Sequence, residues 1–379
     1  MNIPDTSKIL VTCAKGIAPF LEEEIKSLGF RVGSTHETGA VITGKFTDTY
    51  KLNLELRTAY NVLFLLKEFE CNNPTDLYAE TGEIEWENII PADEYLTVVS
   101  QTENPSIKNS MFANQKLKDA VVDRMTKRIG KRPDSGPERK NVVINLYWKD
   151  RNAWIYLNTS GGKLADRGYR KIPLGAPMQE TLAAAVLLAA KYDGKSHFVN
   201  PMCGSGTIAI EAALIALDKA PGLLRSNYGF MHLKNFDKIY WQSLRKETLA
   251  KSKKGLDQKI IATDIDNRAV EAATANARTA GVEHLIEFKV SDFSVTNVPS
   301  EKSIVLLNPE YGERMGTSTK LEGTYKAIGD FFKQKCKGSA CYVFTGNLEL
   351  AKKIGLRAER RVPFYNGDIE CRLLEYDIF

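Results

Sequence analysis

The sequence predicts an α/β domain built on a parallel sheet, preceded by a module of mixed α+β structure. From Gln179 onward, short apolar runs alternate with helical patterns, which is typical of a parallel sheet covered by helices on both faces. Before Thr159, predicted strands and helices follow no strict alternation. Residues 161–177 between these parts are rich in glycine, proline and basic residues, and we interpret them as a linker.

The first part opens with a strand (KILVTC), a helix and a second strand (GAVITGKF). A helical pattern is predicted from Thr49 to Leu66, followed by a strand (EYLTVVSQ). The segment NQKLKDAVVDRMTKRIGK predicts an amphipathic helix, with one apolar side made of Leu117, Val121, Val122, Met125 and Ile129. Two strand-like runs, NVVINLYW and AWIYLN, flank the polar segment KDRN and predict a hairpin.

The second part begins with a helix (QETLAAAVLLAAKY) and a strand (HFVNP). Helix GTIAIEAALIAL, strand KIIATDI, helix NRAVEAATANARTAG and strand LIEFKV follow in order. Strand SIVLLN, a helix around TYKAIGDFFKQKC and strand ACYVFTG complete the alternation. The last segment has two alternating runs around NGD, which predict a terminal antiparallel hairpin.

Composition limits the class of protein. With 379 residues, 43% of them hydrophobic and 26% charged, the chain is typical of a globular protein of two or three domains. Six cysteines without a C-x-x-C pair, and only four histidines, argue against a zinc site or a disulfide framework. The N-terminus has no signal-peptide pattern, and the longest apolar run, LAAAVLLAA, is too short to cross a bilayer. We expect a cytoplasmic protein with no metal and no membrane partner.

The positive charge is concentrated in one segment. Ten basic and five acidic residues lie between Thr102 and Lys140, and this surplus equals the net charge of +5 of the whole chain. Such a segment predicts binding to nucleic acid through its phosphates, although a solvated helix face is the alternative. The candidate residues for such binding are Lys108, Lys116, Lys127, Arg128, Lys131 and Arg132.

Ligands of open parallel sheets bind beyond the carboxyl ends of the strands. The first such end is NPMCGSGTI, where Gly204 and Gly206 form a tight turn that lets a ligand approach the backbone before a helix begins. A tight turn without a ligand is the alternative. The third glycine of a nicotinamide-binding motif is missing, and so is the Lys-Ser/Thr of a phosphate-binding loop.

The next two strand ends carry carboxylates. Asp264 in ATDID is placed to accept hydrogen bonds from both hydroxyls of a ribose, while Asp266 fits better as the cap of the following helix. In VSDF, Asp292 is suited to an adenine amino group, and Phe293 would flank the ring. A surface turn is the alternative for Asp292. Together the three strand ends suit the parts of an adenosine.

The fourth strand end, VLLNPEYGERMG, offers hydrogen-bond acceptors. Asn308 has an acceptor oxygen, and Pro309 fixes the backbone so that its own carbonyl is able to point the same way. Two acceptors hold both hydrogens of an exocyclic amino group and aim its nitrogen lone pair at an electrophile. Tyr311 supplies a face on which the base would stack. The alternative is a strand-ending turn with a core tyrosine.

These motifs, NPMCGSGTIAIEAA, ATDID, VSDF and NPEYGERMG, resemble those of class I S-adenosylmethionine-dependent methyltransferases that act on amino groups. With LNTSGGKLADRGYRK, ETLAAAVLLAA and APGLLR, nearly the whole chain resembles THUMP-domain RNA methyltransferases of the bacterial 23S rRNA guanine-N2 type. The resemblance implies a ferredoxin-like segment (1–55), a THUMP RNA-binding module (56–160), the linker (161–177) and a Rossmann-like methyltransferase domain (178–379). It implies structured RNA, and rRNA in particular, as the partner.

The resemblance also implies roles for residues. Gly204 and Gly206 would approach the methionine part of S-adenosylmethionine, and Asn308, Pro309 and Tyr311 would hold the target base. Two positions depart from the family pattern: Asn200 stands where an acidic residue is usual near the amino group of the cofactor, and Glu310 replaces a second proline.

Glu310 would accept a hydrogen bond from N1–H of guanine, beside the amino group held by Asn308 and Pro309, and would select guanine over adenine. The alternative is a Glu310 that points to solvent or caps a nearby helix. We interpret Cys203 as a packing residue rather than a nucleophile. We expect the single-methyltransferase form of the family, with no second methyltransferase domain after Phe379.

Other functions stay open at this stage. The closest alternatives are an adenine-N6 methyltransferase, acting on RNA or on DNA, and a tRNA guanine-N2 methyltransferase. An RNA-binding protein with a weakened methyltransferase site is a third, because of Asn200 and Glu310. A nicotinamide oxidoreductase is disfavoured by the incomplete glycine motif.

Overall fold

The computed structural model describes residues 3–104, 109–172, 178–311 and 318–378. The chain divides into two compact units. One unit comprises Met1–Cys13, Leu21–Leu164 and Arg225–Glu247, and the other comprises Ala14–Phe20, Ala165–Leu224 and Thr248–Phe379. Lys108, the end of the predicted linker (173–177) and the motif residues after Tyr311 (312–316) lie outside the described residues.

Within its described residues, the first part of the chain forms a seven-stranded sheet with five helices. Its elements are β1 (Thr6–Thr12), α1 (Ala18–Ser27), β2 (Val32–His36), β3 (Gly39–Lys45), α2 (Asp48–Glu55), β4 (Asn61–Glu70), α3 (Pro74–Gly82), α4 (Trp86–Ile89), β5 (Leu96–Glu103), α5 (Ser110–Ile129), β6 (Val142–Lys149) and β7 (Asn152–Asn158). The strand order is β2-β3-β1-β4-β7-β6-β5. Neighbours are antiparallel except β5 and β6, which are parallel.

The predicted hairpin of KDRN is confirmed as β6 and β7, joined through Asp150 with a positive φ of 51°. The helix predicted from Thr49 to Leu66 is wrong beyond Glu55, because Asn61–Glu70 is strand β4. β4 pairs with β1 on one side and β7 on the other, so its continuous apolar run belongs to a central strand. The boundary between the ferredoxin-like segment (1–55) and the THUMP module (56–160) stays a prediction. Strands from both sides of it belong to one continuous sheet, in which β1 pairs with β4.

Helix α5 is confirmed as an amphipathic helix. Its residues Leu117, Val121, Val122 and Met125 are all buried. The assignment of Ile129 to this apolar side is wrong, because its side chain is 39% exposed at the last turn of the helix. Gly130 ends the helix in the left-handed conformation with φ 69°.

The second part of the chain forms another seven-stranded sheet. Its elements are α6 (Glu180–Ala189), β8 (His197–Pro201), α7 (Thr207–Ala216), α8 (Lys238–Lys251), β9 (Ile260–Asp264), α9 (Asn267–Ala280), β10 (Ile286–Val290), β11 (Ser303–Leu307), α10 (Ser318–Lys335), β12 (Ala340–Thr345), α11 (Leu348–Lys352), β13 (Arg360–Asn366) and β14 (Ile369–Asp377). The strand order is β10-β9-β8-β11-β12-β14-β13. Short 3₁₀ turns lie at Pro221–Leu224, Gly229–His232, Glu283–Leu285 and Phe293–Val295.

The predicted parallel sheet with a terminal antiparallel hairpin is confirmed. Strands β8 to β12 run parallel, and β14 is antiparallel to both β12 and β13. The order of the strands reverses between β8 and β11, since β9 and β10 lie to one side and β12 to the other. This reversal makes the carboxyl ends of β8 and β11 the expected position of a ligand.

A membrane span and a metal site each impose requirements on the described part of the chain. None of its helices combines the length and the apolar composition required to cross a membrane. Within the same ranges, no cluster of three or more His, Cys, Asp or Glu side chains is placed to hold a metal ion.

Candidate active site

A cavity of about 530 Å³ lies at the carboxyl ends of β8, β9, β10 and β11. Every strand end that the sequence singled out contributes to its wall. Gly204, Asp264, Asp292, Phe293, Asn308, Pro309 and Glu310 all line it. The volume is within the range of roughly 300–1,000 Å³ that is usual for sites of small molecules and cofactors.

The two glycines of the first loop have different functions. A Cβ atom on Gly204 would meet nothing within 4 Å, and its φ of 54° favours glycine, so this backbone faces the cavity without a covering side chain. A Cβ atom on Gly206 would lie 2.8 Å from the Cβ atom of Ala273, and its φ is 83°. Gly206 is therefore required for packing of the loop against α9, and it does not line the cavity.

The carboxylate of Asp264 ties this loop to β9. Its Oδ2 accepts a hydrogen bond from Gly204 N at 2.9 Å, and its Oδ1 accepts one from Asp266 N at 3.0 Å. Asp266 caps α9 by accepting from Arg268 N, as predicted. Asp264 thus lies at the cavity wall already oriented by two backbone donors, and each oxygen retains a lone pair for a further donor.

Asp292 and Phe293 follow β10. The Oδ1 atom of Asp292 accepts from Ser294 N at 2.8 Å and from Ser294 Oγ at 2.5 Å, so this residue also forms the turn that the alternative interpretation predicted. Within the described chain, no residue donates to its Oδ2 atom. The Phe293 ring contacts Phe331 edge-on, with 6.0 Å between the ring centroids, which fixes it in the wall.

Asn308 provides the most informative atom of the cavity. Its Oδ1 is buried and has no hydrogen-bond partner among the described residues. A buried acceptor without a donor costs roughly 1–3 kcal/mol, so such an atom indicates a ligand that supplies the donor. Pro309 beside it is buried, and Glu310 is exposed at the same wall.

Tyr311 directly follows the wall residue Glu310 in the chain. It does not line the cavity. Its hydroxyl accepts a hydrogen bond from Asn366 Nδ2 at 2.9 Å, and its ring packs beside Gly346 and edge-on to Phe344. Burial raises the pKa of Tyr311 well above its usual value, so the phenol is neutral at physiological pH. The sequence placed Tyr311 at the correct strand end, but it did not show that the ring is packed against the terminal strands.

Asn200 is also outside the cavity wall. It is fully buried, and its Nδ2 donates to the Leu306 carbonyl at 2.8 Å, which links β8 to β11. Its Oδ1 has no hydrogen-bond partner among the described residues, whereas both ends of a buried amide are usually hydrogen-bonded. The expected contact between Asn200 and a cofactor therefore stays a prediction without geometric support.

Comparisons with known proteins agree with this geometry. A family model for the "RMKL-like, methyltransferase domain" matches residues 167–375. The chain belongs to this family. Models for the "RlmL ferredoxin-like domain" and the "THUMP domain" match residues 8–63 and 71–158.

The relatives agree with the family. The chain is 38% identical to a ribosomal RNA large subunit methyltransferase K/L of Syntrophotalea carbinolica, across 98% of this chain and 53% of that protein. It is 31% identical to a putative RNA methyltransferase of Synechocystis, across 100% of both chains. A crystal structure of a putative methyltransferase complexed with SAH has a TM-score of 0.89 and 26% identity, and covers 99% of each chain. The chain spans about half the length of the K/L relatives it matches.

Several wall residues of this methyltransferase domain were missed by sequence reasoning. Met202 has a positive φ of 59°, which is unusual for a non-glycine residue and which the residue type does not predict. Ile265 is 71% exposed and borders the cavity, and its signal in the sequence is an apolar residue directly after Asp264. Lys320 and Thr324 enter the wall from α10, whose facing side the sequence did not reveal.

Cys203 also lines the cavity, although its interpretation as a packing residue is consistent with its surroundings. Its side chain is buried, and burial raises the pKa of the thiol well above its ordinary value. A protonated thiol is a poor nucleophile, so the geometry offers no support for covalent catalysis by this residue.

The basic residues of the THUMP unit lie on and after α5. Lys127, Arg128, Lys131 and Arg132 are all exposed, and Lys116 lies over the Phe112 ring at 5.8 Å. Arg128 Nε is 3.9 Å from Glu87 Oε1, but that carboxylate already pairs with Arg124 at 2.7 Å. Lys127, Lys131 and Arg132 form no ion pair with any residue in the described ranges. This cationic group, hereafter the α5 basic group (Lys127, Arg128, Lys131 and Arg132), is open to a polyanion.

Proposed function

We propose that this chain is an S-adenosylmethionine-dependent RNA methyltransferase whose target is an exocyclic amino group, namely N2 of a guanine in large-subunit rRNA. The observation that carries the proposal is the unpartnered Asn308 Oδ1 in the wall of a cavity at the strand-order reversal. An amino group of a base supplies the donor that this atom lacks.

The wall residues fit the proposed cofactor. Asp264 would hold the ribose hydroxyls with the free lone pairs of its oxygens, and Asp292 Oδ2 would accept from the adenine amino group. Phe293 and Ile265 supply apolar surface for the adenine ring. The uncovered backbone of Gly204 leaves room for the methionine part. The relative solved with SAH supports the same class of cofactor.

Bound S-adenosylmethionine supplies an electrophilic methyl group. The residues of the chain would make the target nitrogen nucleophilic. Asn308 Oδ1 and the Pro309 carbonyl would accept both amino hydrogens, which holds them out of the plane of the base and directs the lone pair away from the ring. Burial strengthens these hydrogen bonds, since little water competes for the acceptors.

The choice of guanine rests on Glu310. Its carboxylate is exposed at the cavity wall, next to Pro309. Guanine presents N1–H beside its amino group, and a carboxylate accepts from this donor. Adenine presents a bare N1 acceptor at the same place, which a carboxylate repels. The names of the K/L relatives support rRNA as the class of substrate.

The THUMP match and the α5 basic group support RNA binding. Three of its four cations form no ion pair with described residues, so their charge is available to phosphates.

The test is the identity of the product. The purified chain is incubated with labelled S-adenosylmethionine and 23S rRNA that lacks its modifications, and the digested nucleosides are separated by mass spectrometry. We expect labelled N2-methylguanosine. Labelled N6-methyladenosine, or methylation of tRNA alone, would replace the proposed substrate with an alternative one. RNA binding without any methyl transfer would indicate a weakened methyltransferase site.

A further inference from the structure

We propose that Asn366 is a positioning residue for Tyr311, whose ring lies outside the cavity wall and would stack the target base next to it; this inference rests on the proposed function. Tyr311 is separated from Asn308 by only two residues, Pro309 and Glu310, so the direction of its side chain decides where a base lies relative to the acceptor. The terminal strands, and not the motif itself, determine that direction.

The hydroxyl end of Tyr311 is fixed by a hydrogen bond. Asn366 Nδ2 donates to Tyr311 Oη at 2.9 Å, across 55 positions of the chain. Asn366 is the last residue of β13 and pairs with Ile369 across the hairpin turn. Gly367 in this turn has a φ of 63°, which fits a tight hairpin connection. The donor therefore stands at the end of a paired strand.

The ring of Tyr311 is fixed by close packing. A Cβ atom on Gly346 would lie 2.8 Å from Tyr311 Cδ2 and 2.8 Å from Ile369 Cγ2. Only a glycine at this position lets the ring approach the backbone after β12 so closely. Phe344 meets the same ring edge-on, with 6.2 Å between the centroids. One side of Tyr311 is thus held by β12 and the hairpin.

A fixed ring has a chemical consequence. Stacking sets the plane of the base, and Asn308 Oδ1 accepts an amino hydrogen well only when that plane is correct. A ring free to rotate about its side-chain bonds would allow many planes, and the rate would fall although the cofactor still binds. Asn366 would act on the reaction only through Tyr311.

A double-mutant cycle tests this route. Tyr311→Phe retains the ring and removes the hydroxyl, and Asn366→Ala removes the donor. Each variant should lower kcat/KM for RNA by about 3- to 10-fold, the loss expected for one hydrogen bond. The double variant should be no worse than either single one, because both remove the same contact. Asn297→Ala, an exposed asparagine of the same unit, is the control and should leave kcat/KM unchanged.

Affinity for S-adenosylmethionine should stay the same in all four variants, which separates positioning of the base from general damage to the domain. Losses that multiply, to about 10- to 100-fold in the double variant, would overturn the inference. So would an Asn366→Ala variant with unchanged kcat/KM.

A second readout does not need activity. 3-Fluorotyrosine placed at position 311 alone reports the surroundings of the ring by fluorine NMR. The resonance should shift or broaden in Asn366→Ala and not in Asn297→Ala; an unchanged resonance in Asn366→Ala overturns the contact. A parent protein that methylates no RNA overturns the proposed function and the catalytic consequence together, while the fluorine spectra then decide the contact by themselves.

Discussion

At the scale of single residues, two aspartates at one strand end have different contacts. Asp264 lines the cavity and accepts from two backbone N–H groups, whereas Asp266 caps α9 and pairs with Arg268 at 2.8 Å. The sequence alone distinguishes the two residues, because the helical pattern begins directly after Asp266. Their separation gives a matched pair of variants for the cofactor site.

Asp264→Asn should weaken S-adenosylmethionine binding by about tenfold, because the amide loses the charge that strengthens hydrogen bonds to ribose hydroxyls. The amide retains one acceptor for the loop, so the fold should persist. Asp266→Asn preserves a helix cap and should leave the affinity unchanged. Isothermal calorimetry measures the affinity of both variants for S-adenosylmethionine. Equal affinities for the parent and Asp264→Asn would show that Asp264 only orders the loop through its backbone hydrogen bonds.

Glu310 gives a prediction about base selection. Glu310→Gln should lower kcat/KM for guanine methylation by roughly 3- to 10-fold, because a neutral acceptor replaces a charged one opposite N1–H. Its exposure to water keeps the effect modest. Calorimetry should show the same cofactor affinity as the parent. An unchanged kcat/KM in the variant would remove Glu310 from the site.

The limits of the sequence also show at this scale. The positions of Asp264, Asp292 and Asn308 at one cavity followed from their places at strand ends. The packing of Gly206 against Ala273 and the hydrogen bond of Tyr311 with Asn366 did not, because both join residues that are distant in the chain. A motif fixes where its residues leave a strand, but not which other element they contact.

At the scale of elements, periodicity predicted most helices and strands and failed for β4. The run NVLFLL is continuously apolar after its first residue, so a period of 2 and a period of 3.6 fit it almost equally well. Its position between β1 and β7, which only the folded chain reveals, decides the matter. The two hairpins were predictable because their turns contain residues suited to a positive φ, Asp150 and Gly367.

A buried carboxylate at the start of α6 predicts a dependence of stability on pH. Burial raises the pKa of Glu180 from 4.5 to about 7, although Arg170 lies 3.2 Å away and opposes the shift. Between these two pH values the folded state retains a proton that the unfolded state has released. The contribution of Glu180 to the free energy of unfolding is therefore present at low pH and lost as the pH rises through this window.

Glu180→Gln should remove this dependence. The free energy of unfolding of the variant, relative to the parent, should rise by roughly 1–3 kcal/mol between pH 4.5 and pH 8, since each unit of pKa shift corresponds to about 1.4 kcal/mol. Urea unfolding at several pH values measures the difference. A difference that stays constant with pH, or decreases, would contradict the burial effect.

The α5 basic group predicts the salt dependence of RNA binding. Replacing its four residues with Ala should weaken binding to rRNA and reduce the slope of log affinity against log salt by up to about 3. The slope falls because binding then neutralises fewer phosphates and releases fewer counterions. A control of equal charge removes four cations of the same unit that already pair with carboxylates: Lys8, Lys26, Lys149 and Arg151.

The control variant should retain most of the affinity and the slope of the parent. Filter-binding titrations at several salt concentrations measure both quantities. If the two quadruple variants lose affinity equally, net charge rather than the α5 basic group determines binding. If neither loses any, the positive charge of α5 is a solvated helix face whose last turn, with Lys127 and Arg128, compensates the helix dipole.

At the scale of the whole molecule, the sequence predicted an RNA-binding part followed by a methyltransferase part, and the family models match the chain in the same order. Matches to the ferredoxin-like and THUMP models precede the match to the methyltransferase model along the chain. The charge surplus lies in the THUMP part, and the unpartnered acceptor lies in the methyltransferase part. We therefore expect substitutions in the basic segment of the THUMP part to lower RNA affinity, and substitutions at the cavity of the methyltransferase part to lower the rate of methyl transfer.

The most direct test of the central claim is the single-turnover rate of Asn308→Ala, with saturating S-adenosylmethionine and unmodified 23S rRNA. If Asn308 Oδ1 holds the target amino group, the rate should fall by about 100-fold, the loss typical of one preorganised polar group in an active site. The affinities for RNA and cofactor should stay at the values of the parent. A rate within about twofold of the parent, or a fall explained by lost cofactor binding, would contradict the claim.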